Sequence, residues 1–210
     1  VQIGRSGRKL EFPLNELASE KNIDTEDQSP KPGSGVLRFL ADILETILLS
    51  VILFLGINAI TARVRVDGQS MVPTFDSGEF IIVSKLSYKF GEPERGDVVV
   101  FHLPRDPDQD YIKRAIGLPG DEVVIQDGSV FVNDRELDEP YINASPTYSG
   151  EWRVPGDALF VLGDNRNNSS DSHSWGVVPM EYIIGKAVFV YWPISAIGVV
   201  EHPSIALAAP

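Results

Sequence analysis

Seventeen consecutive residues without a charge, Thr46-Ile-Leu-Leu-Ser-Val-Ile-Leu-Phe-Leu-Gly-Ile-Asn-Ala-Ile-Thr-Ala62, limit what this chain of 210 residues can become. A helix with no polar stripe has to be covered on every side, either by the rest of a protein or by lipid. The preceding chain offers no such cover. Residues 1–35 mix charges of both signs with Ser, Pro and Gly, show no periodic apolar pattern, and read as a disordered arm. The run therefore predicts a transmembrane helix over residues 36–62, at the short end of the roughly 17–25 residues needed to cross a bilayer. Asp42 and Glu45 then fall at headgroup level. The internal position of the run speaks against a cleaved secretory signal, and the many acids of the arm speak against a transit peptide, which is poor in them. Charge leaves the orientation open, because Arg38 on one side is balanced by Arg63 and Arg65 on the other.

Beyond Arg63 the pattern changes to short apolar runs between turn signals: Glu79 to Ser84, Val98 to Phe101, Asp110 to Ile116, Glu122 to Gln126, Ser129 to Val132, Ala158 to Leu162 and Ala187 to Tyr191. Asp127-Gly128 between the fourth and fifth runs favours a two-residue hairpin. Many short strands with little helical periodicity predict a mainly β, antiparallel domain over residues 63–200, followed by a tail at 201–210. With 43% hydrophobic residues there is ample material for one packed core. A formal net charge of −12 argues against a nucleic-acid partner, which needs clustered Lys and Arg. There is no cysteine, and His102, His173 and His202 lie far apart, so neither a metal nor another cofactor is expected.

Three stretches carry chemistry. Val66-Asp-Gly-Gln-Ser-Met-Val-Pro-Thr-Phe75 centres on Ser70, whose hydroxyl becomes a useful nucleophile only if the chain supplies a base. Asp110-Tyr-Ile-Lys-Arg-Ala-Ile116 holds Lys113 inside an apolar run. Taken alone, such a lysine more often points to solvent from an edge strand, whereas burial would lower its pKa toward that of a usable base. Gly163-Asp-Asn-Arg-Asn-Asn-Ser-Ser-Asp-Ser-His-Ser-Trp-Gly176 packs hydrogen-bonding side chains directly after an apolar strand, as a site-building loop would. A Ser-His-Asp triad using Ser70 and His173 is the competing reading, and the sequence leaves it open.

Together with the Arg95-Gly-Asp97 turn, these stretches closely resemble the type I signal peptidases, membrane-bound Ser/Lys proteases, from the apolar run through to about Val199. The resemblance implies a signal-peptidase/LexA-like β fold and an endopeptidase that removes signal peptides from exported proteins after small-x-small motifs. Its partners would be preproteins and membrane lipid, and it would use no cofactor. By position, Ser70 matches the nucleophile and Lys113 its general base. Ser169 matches the serine that hydrogen-bonds the lysine, and Asp171 the acid that braces the loop. Asp164 and Arg114 match a structural ion pair. Val66, Met71, Phe75, Tyr111 and Ile112 match the lining of shallow pockets for small side chains at −1 and −3. The implied location is a plasma membrane with the catalytic domain outside, or alternatively a thylakoid membrane with that domain in the lumen.

Two positions depart from the pattern. Gly68 replaces a serine that helps some members hold the oxyanion, so the hole rests on the Ser70 N–H and a second, unassigned donor. His173 stands where well-known bacterial members have arginine, which turns a permanent ion pair into a pH-dependent one. The resemblance also implies kinship with the self-cleaving repressors of the DNA-damage response. The acidic arm, with no helix-turn-helix pattern, and the apolar run argue against that function. A degenerate, non-enzymatic relative is disfavoured because Ser70, Lys113, Ser169 and Asp171 are all present.

Overall fold

The computed structural model describes residues 34–203. The expected disordered arm lies outside the described residues as far as residue 33, and so does the tail from 204 onward. The chain divides into two compact units at residues 48 and 49, within its first helix.

That helix, α1 (Ser34–Ile60), is long and apolar enough to cross a membrane, and no residue in its apolar window is buried by protein. It stops at Ile60, two residues short of the expected boundary, because its last carbonyls are captured from outside the helix. Lys85 N donates to Ile60 O at 3.0 Å, Lys85 Nζ to Asn58 O at 3.3 Å, and Thr61 Oγ1 to Ile57 O at 2.8 Å. Thr61 and Ala62 belong instead to a strand that pairs with Ser84 and Val83. Capture by a partner 25 residues downstream leaves no trace in the local sequence.

The second unit is mainly antiparallel β. Its strands are β1 (Thr61–Arg65), β2 (Phe80–Ser84), β3 (Val98–Leu103), β4 (Asp106–Gly117), β5 (Glu122–Gln126), β6 (Ser129–Val132), β7 (Arg135–Glu136), β8 (Gly150–Arg153), β9 (Ala158–Leu162), β10 (Val178–Pro179), β11 (Ile183–Trp192) and β12 (Gly198–Val199). There are also two single-turn helices, α2 (Ser87–Phe90) and α3 (Ser172–Trp175). One sheet runs β1-β2-β11-β3-β4-β9-β10 with β12 beside β11, and a smaller one runs β7-β6-β5-β8.

β4 therefore lies in the interior of the larger sheet, between β3 and β9, where both faces can be buried. Its residues from Ile112 onward are all buried. The long register of β11 between β2 and β3 brings β1 into the same sheet, so the turn that follows β1 is held close to β4. In the smaller sheet β5 and β6 form the expected hairpin. Asp127 and Gly128 both have positive φ, 50° and 81°, the backbone a two-residue turn of matching twist requires.

Candidate active site

The turn that follows β1 carries Ser70. Val72 N donates to Gln69 O at 3.3 Å and Phe75 N to Met71 O at 2.9 Å, while Val66 is clamped from both sides by Glu79 O and Gly78 N, each at 2.8 Å. Val66, Met71 and Phe75 then anchor the turn in an apolar cluster with Ile81, Val83, Val98 and Ile112. Ser70 is left at the edge of a cavity of about 460 Å³ that also includes Gly68, Tyr111, Ile112, Lys113 and Asn168.

Lys113 comes to the same place from β4. It is 3% exposed, which removes the edge-strand alternative: the strand has a neighbour on each side, and the side chain is buried except where it reaches the cavity at Ser70. Its Nζ donates to Ser70 Oγ at 2.7 Å and to Ile112 O at 2.8 Å, and lies 5.3 Å from the centre of the Tyr111 ring. Burial disfavours the ammonium and outweighs the opposing attraction of Asp171 and Asp164, so the pKa is pulled down to about 8 from 10.5. An amine that loses its proton in this range, within hydrogen-bond reach of a hydroxyl, can act as a general base.

The loop after β9 closes the site from a third side. Asn165 N donates to Ser70 O and Asn165 Nδ2 to Gln69 O, both at 3.0 Å. Gly163 allows this approach, because a β-carbon there would overlap Ser169 Oγ and the Ser70 carbonyl oxygen. Asp171, fully buried, folds the loop back: Oδ2 accepts from Gly163 N at 2.9 Å, and Oδ1 accepts from His173 N at 3.2 Å as the N-cap of α3. Arg166 forms a buried fork on Glu139, at 2.7 and 2.5 Å, and its Nε donates to Gly163 O at 3.1 Å.

Ser169 lies beside this constellation but does not make the expected bond to the lysine. Lys113 Nζ is directed to Ser70 Oγ and the Ile112 carbonyl, and Ser169 Oγ is buried against Gly163 with no hydrogen-bond partner among the described residues. His173 Nδ1 lies 2.6 Å from Asp171 Oδ1, and its ring stacks on Tyr148 at 3.9 Å between centres. Among the described residues the partner of the Ser70 hydroxyl is therefore Lys113, not the imidazole of the competing triad.

Arg114 and Asp164 form the expected ion pair, both about 1% exposed, with Nε to Oδ1 at 2.8 Å and Nη2 to Oδ2 at 2.7 Å. Three groups not singled out in the sequence complete its coordination. Thr74 Oγ1 donates to Asp164 Oδ2 at 2.5 Å, Gly96 O accepts from Arg114 Nη1 at 2.8 Å, and the Tyr141 ring lies 4.1 Å beneath the guanidinium. Thr74 sits four residues after Ser70, so the pair ties the serine's turn to the lysine's strand.

Of the five residues expected to line small pockets, Tyr111 and Ile112 face the cavity at Ser70. Val66 and Met71 are core residues behind it, and Phe75 lines a different cavity of about 420 Å³ beside Arg114. Asn165, Gly163 and the Glu139–Arg166 pair were not picked out from the sequence. For Gly163, Asn165 and Arg166 the local signal is the density of short polar residues after β9, in which Glu139 has no part.

The chain matches the family of signal peptidases, peptidase S26, over residues 40–192. It is 44% identical over 200 residues to signal peptidase I of Leptolyngbya laminosa, covering 89% of this chain and 98% of that one. Signal peptidase I of Bacillus caldolyticus is 41% identical over 143 residues, covering 61% of this chain and 78% of its own. Thylakoidal processing peptidase 1, chloroplastic, of Arabidopsis thaliana is 40% identical over 151 residues, covering 67% of this chain and 44% of its own.

Proposed function

Because this chain belongs to the signal peptidase family, peptidase S26, we propose that it cleaves signal peptides by acylating Ser70, with Lys113 as general base. As a member of that family it is a membrane-anchored serine peptidase, and exported preproteins are its substrates. The observation that carries the finer reading is the 2.7 Å contact between a hydroxyl at a cavity edge and an amine held at 3% exposure.

In this mechanism neutral Lys113 Nζ takes the proton of Ser70 Oγ as the oxygen attacks the scissile carbonyl carbon. The oxygen of the tetrahedral intermediate, now negative, is met by the Ser70 N–H. The Lys113 ammonium then returns its proton to the departing amine, which leaves as the new N-terminus of the exported protein. A water deprotonated by the same amine releases the signal peptide from Ser70 and restores the hydroxyl. Each proton moves through Nζ, and the cycle uses no metal or other cofactor. The Asp164–Arg114 pair and Asp171 hold the three contributing segments in register.

The cleavage rule we propose is small-x-small. Tyr111 and Ile112 wall the cavity beside Ser70, and Val66, Met71 and Phe75 share the apolar cluster of Ile112, a rigid wall that would limit which side chains fit at −1 and −3. The purified protein in detergent should process a preprotein with an Ala-x-Ala site, and Ser70→Ala should not. Replacing alanine at −1 by leucine should lower kcat/KM by roughly 5- to 150-fold, and the same change at −2 by less than about threefold, since forced overpacking costs on the order of 1–3 kcal/mol. Equal losses at both positions would remove the pocket assignment.

The membrane we propose is a bacterial plasma membrane with the residues from Arg63 onward outside, or else a thylakoid membrane with them in the lumen. The cleavage site of a signal peptide emerges on that far side. In the plasma-membrane case protease added to intact right-side-out cells should then reach the Asp127-Gly128 hairpin, and protection that ends only on permeabilisation would exclude that case.

A further inference from the structure

From the hydrogen bonds on either side of the nucleophile we infer that Asn165 is a positioning residue that aims the Ser70 N–H at the oxyanion. The inference rests on Ser70 being the nucleophile.

A trans peptide is planar, with its C=O and N–H pointing in opposite directions. The peptide between Gln69 and Ser70 therefore cannot swing its N–H without moving the Gln69 carbonyl. That carbonyl is held by two donors, Asn165 Nδ2 at 3.0 Å and Val72 N at 3.3 Å. The next carbonyl, that of Ser70, is held by Asn165 N at 3.0 Å. One residue of the loop after β9 thus grips both carbonyls that flank the nucleophile's N–H, one through its side chain and one through its backbone. The Ser70 N–H itself donates to no acceptor among the described residues.

Two features make this aim matter here. Position 68 is glycine, so no side chain two residues before the nucleophile adds a donor to the hole. The hole then depends more heavily on the direction of one peptide. A hydrogen bond to the carbonyl of that peptide also polarises its N–H, which strengthens the bond it offers to a developing negative charge. Gly163 permits the arrangement, since a side chain there would push the loop off the Ser70 carbonyl.

The side chain can be removed while the backbone grip stays. Asn165→Ala deletes the amide, and Asn165→Asp keeps its shape but replaces the donor with an acceptor. In the full-length protein in detergent, both should lower kcat by about ten- to a hundredfold with KM nearly unchanged, less than the roughly hundred- to thousandfold of losing a whole oxyanion donor. A peptide aldehyde ending in Ala-x-Ala, which forms a hemiacetal on Ser70, should bind more weakly by a similar factor. The corresponding peptide alcohol, which forms no adduct with Ser70 and carries no negative charge, should bind as before. The melting temperature should stay within a few degrees, and in Asn165→Ala the pH limb of kcat/KM should not move.

Unchanged kcat in both variants would overturn the inference. So would equal weakening of the aldehyde and the peptide alcohol, or a displaced pH limb, which would place the effect on binding or on the base. Failure of the parent reading has a separate signature: Ser70→Ala would keep its turnover or bind the aldehyde as tightly as the wild type.

Discussion

Lys113→Arg should lower kcat/KM by about ten-thousandfold or more, the same class of loss as Ser70→Ala, while the domain stays folded. Arginine retains the positive charge and the length to reach Ser70, but it does not give up a proton at any pH at which the protein is folded, so it cannot serve as a base. Members of a catalytic unit that act together fail together, and removal of either partner in such units costs about this much. His173→Ala should behave differently. The imidazole caps nothing at Ser70; it braces Asp171 and stacks on Tyr148, so its loss should loosen the loop and cost roughly tenfold or less. His173→Arg, which keeps a donor for Asp171, should be tolerated. Substantial turnover in Lys113→Arg combined with loss of activity in His173→Ala would transfer the base to the imidazole.

Asp164→Ala should destabilise the second unit by about 3–5 kcal/mol, the cost of leaving a buried guanidinium without its carboxylate. For a unit of this size, that corresponds to a fall in melting temperature of roughly 6–20 °C. The damage should also reach the site, because Thr74 Oγ1 donates to the same carboxylate and lies in the turn that presents Ser70. Replacing both partners by apolar residues, Arg114→Met with Asp164→Leu, should recover part of the stability, since the uncompensated charge is then gone. Thermal unfolding in detergent measures both effects. A single mutant that melts within a degree or two of wild type would show that the pair is dispensable.

The parts of this molecule that could be read from its sequence are those whose physics is local. The uncharged run gave a helix within two residues of its observed ends, and Asp127-Gly128 placed the β5–β6 hairpin because its turn requires two positive φ angles. The strand positions of β5, β6 and β9 were also legible, since each is an apolar run closed by turn residues. The weaker strands were not. Thr61 and Ala62 of β1 looked like the end of the helix, and β8 was not among the expected strands, because what makes each of them a strand is a partner far away in the chain.

The site was legible as an ordered set of stretches rather than as chemistry. Local sequence alone would have put Lys113 in solvent; what buries it is the arrival of β3 on one side and β9 on the other. The resemblance to a family identified the residues but not their contacts. Ser169 was expected on the lysine and instead lies against Gly163 with no hydrogen-bond partner among the described residues, and Val66, Met71 and Phe75 form the wall behind the cavity more than its lining. Asn165 was invisible because a hydrogen bond to a backbone carbonyl 96 residues away selects only for a short polar side chain.

We propose that Lys113, its pKa lowered by burial, is the base. Because its pKa is lowered in the folded protein, the ammonium dominates below about pH 8 and the free amine above it. The same shift means that Lys113 opposes folding most at low pH, and that this penalty is relieved as pH rises from about 8 toward the unfolded value of 10.5. The most direct test is to follow the Lys113 Nζ signal by NMR in the uncleaved enzyme while measuring kcat/KM over the same pH range. The account predicts a single rising limb of kcat/KM that coincides with the Nζ titration near pH 8 and is unmoved in His173→Ala. A limb near the unperturbed histidine value of about 6.5, with Nζ still protonated above it, would contradict the account.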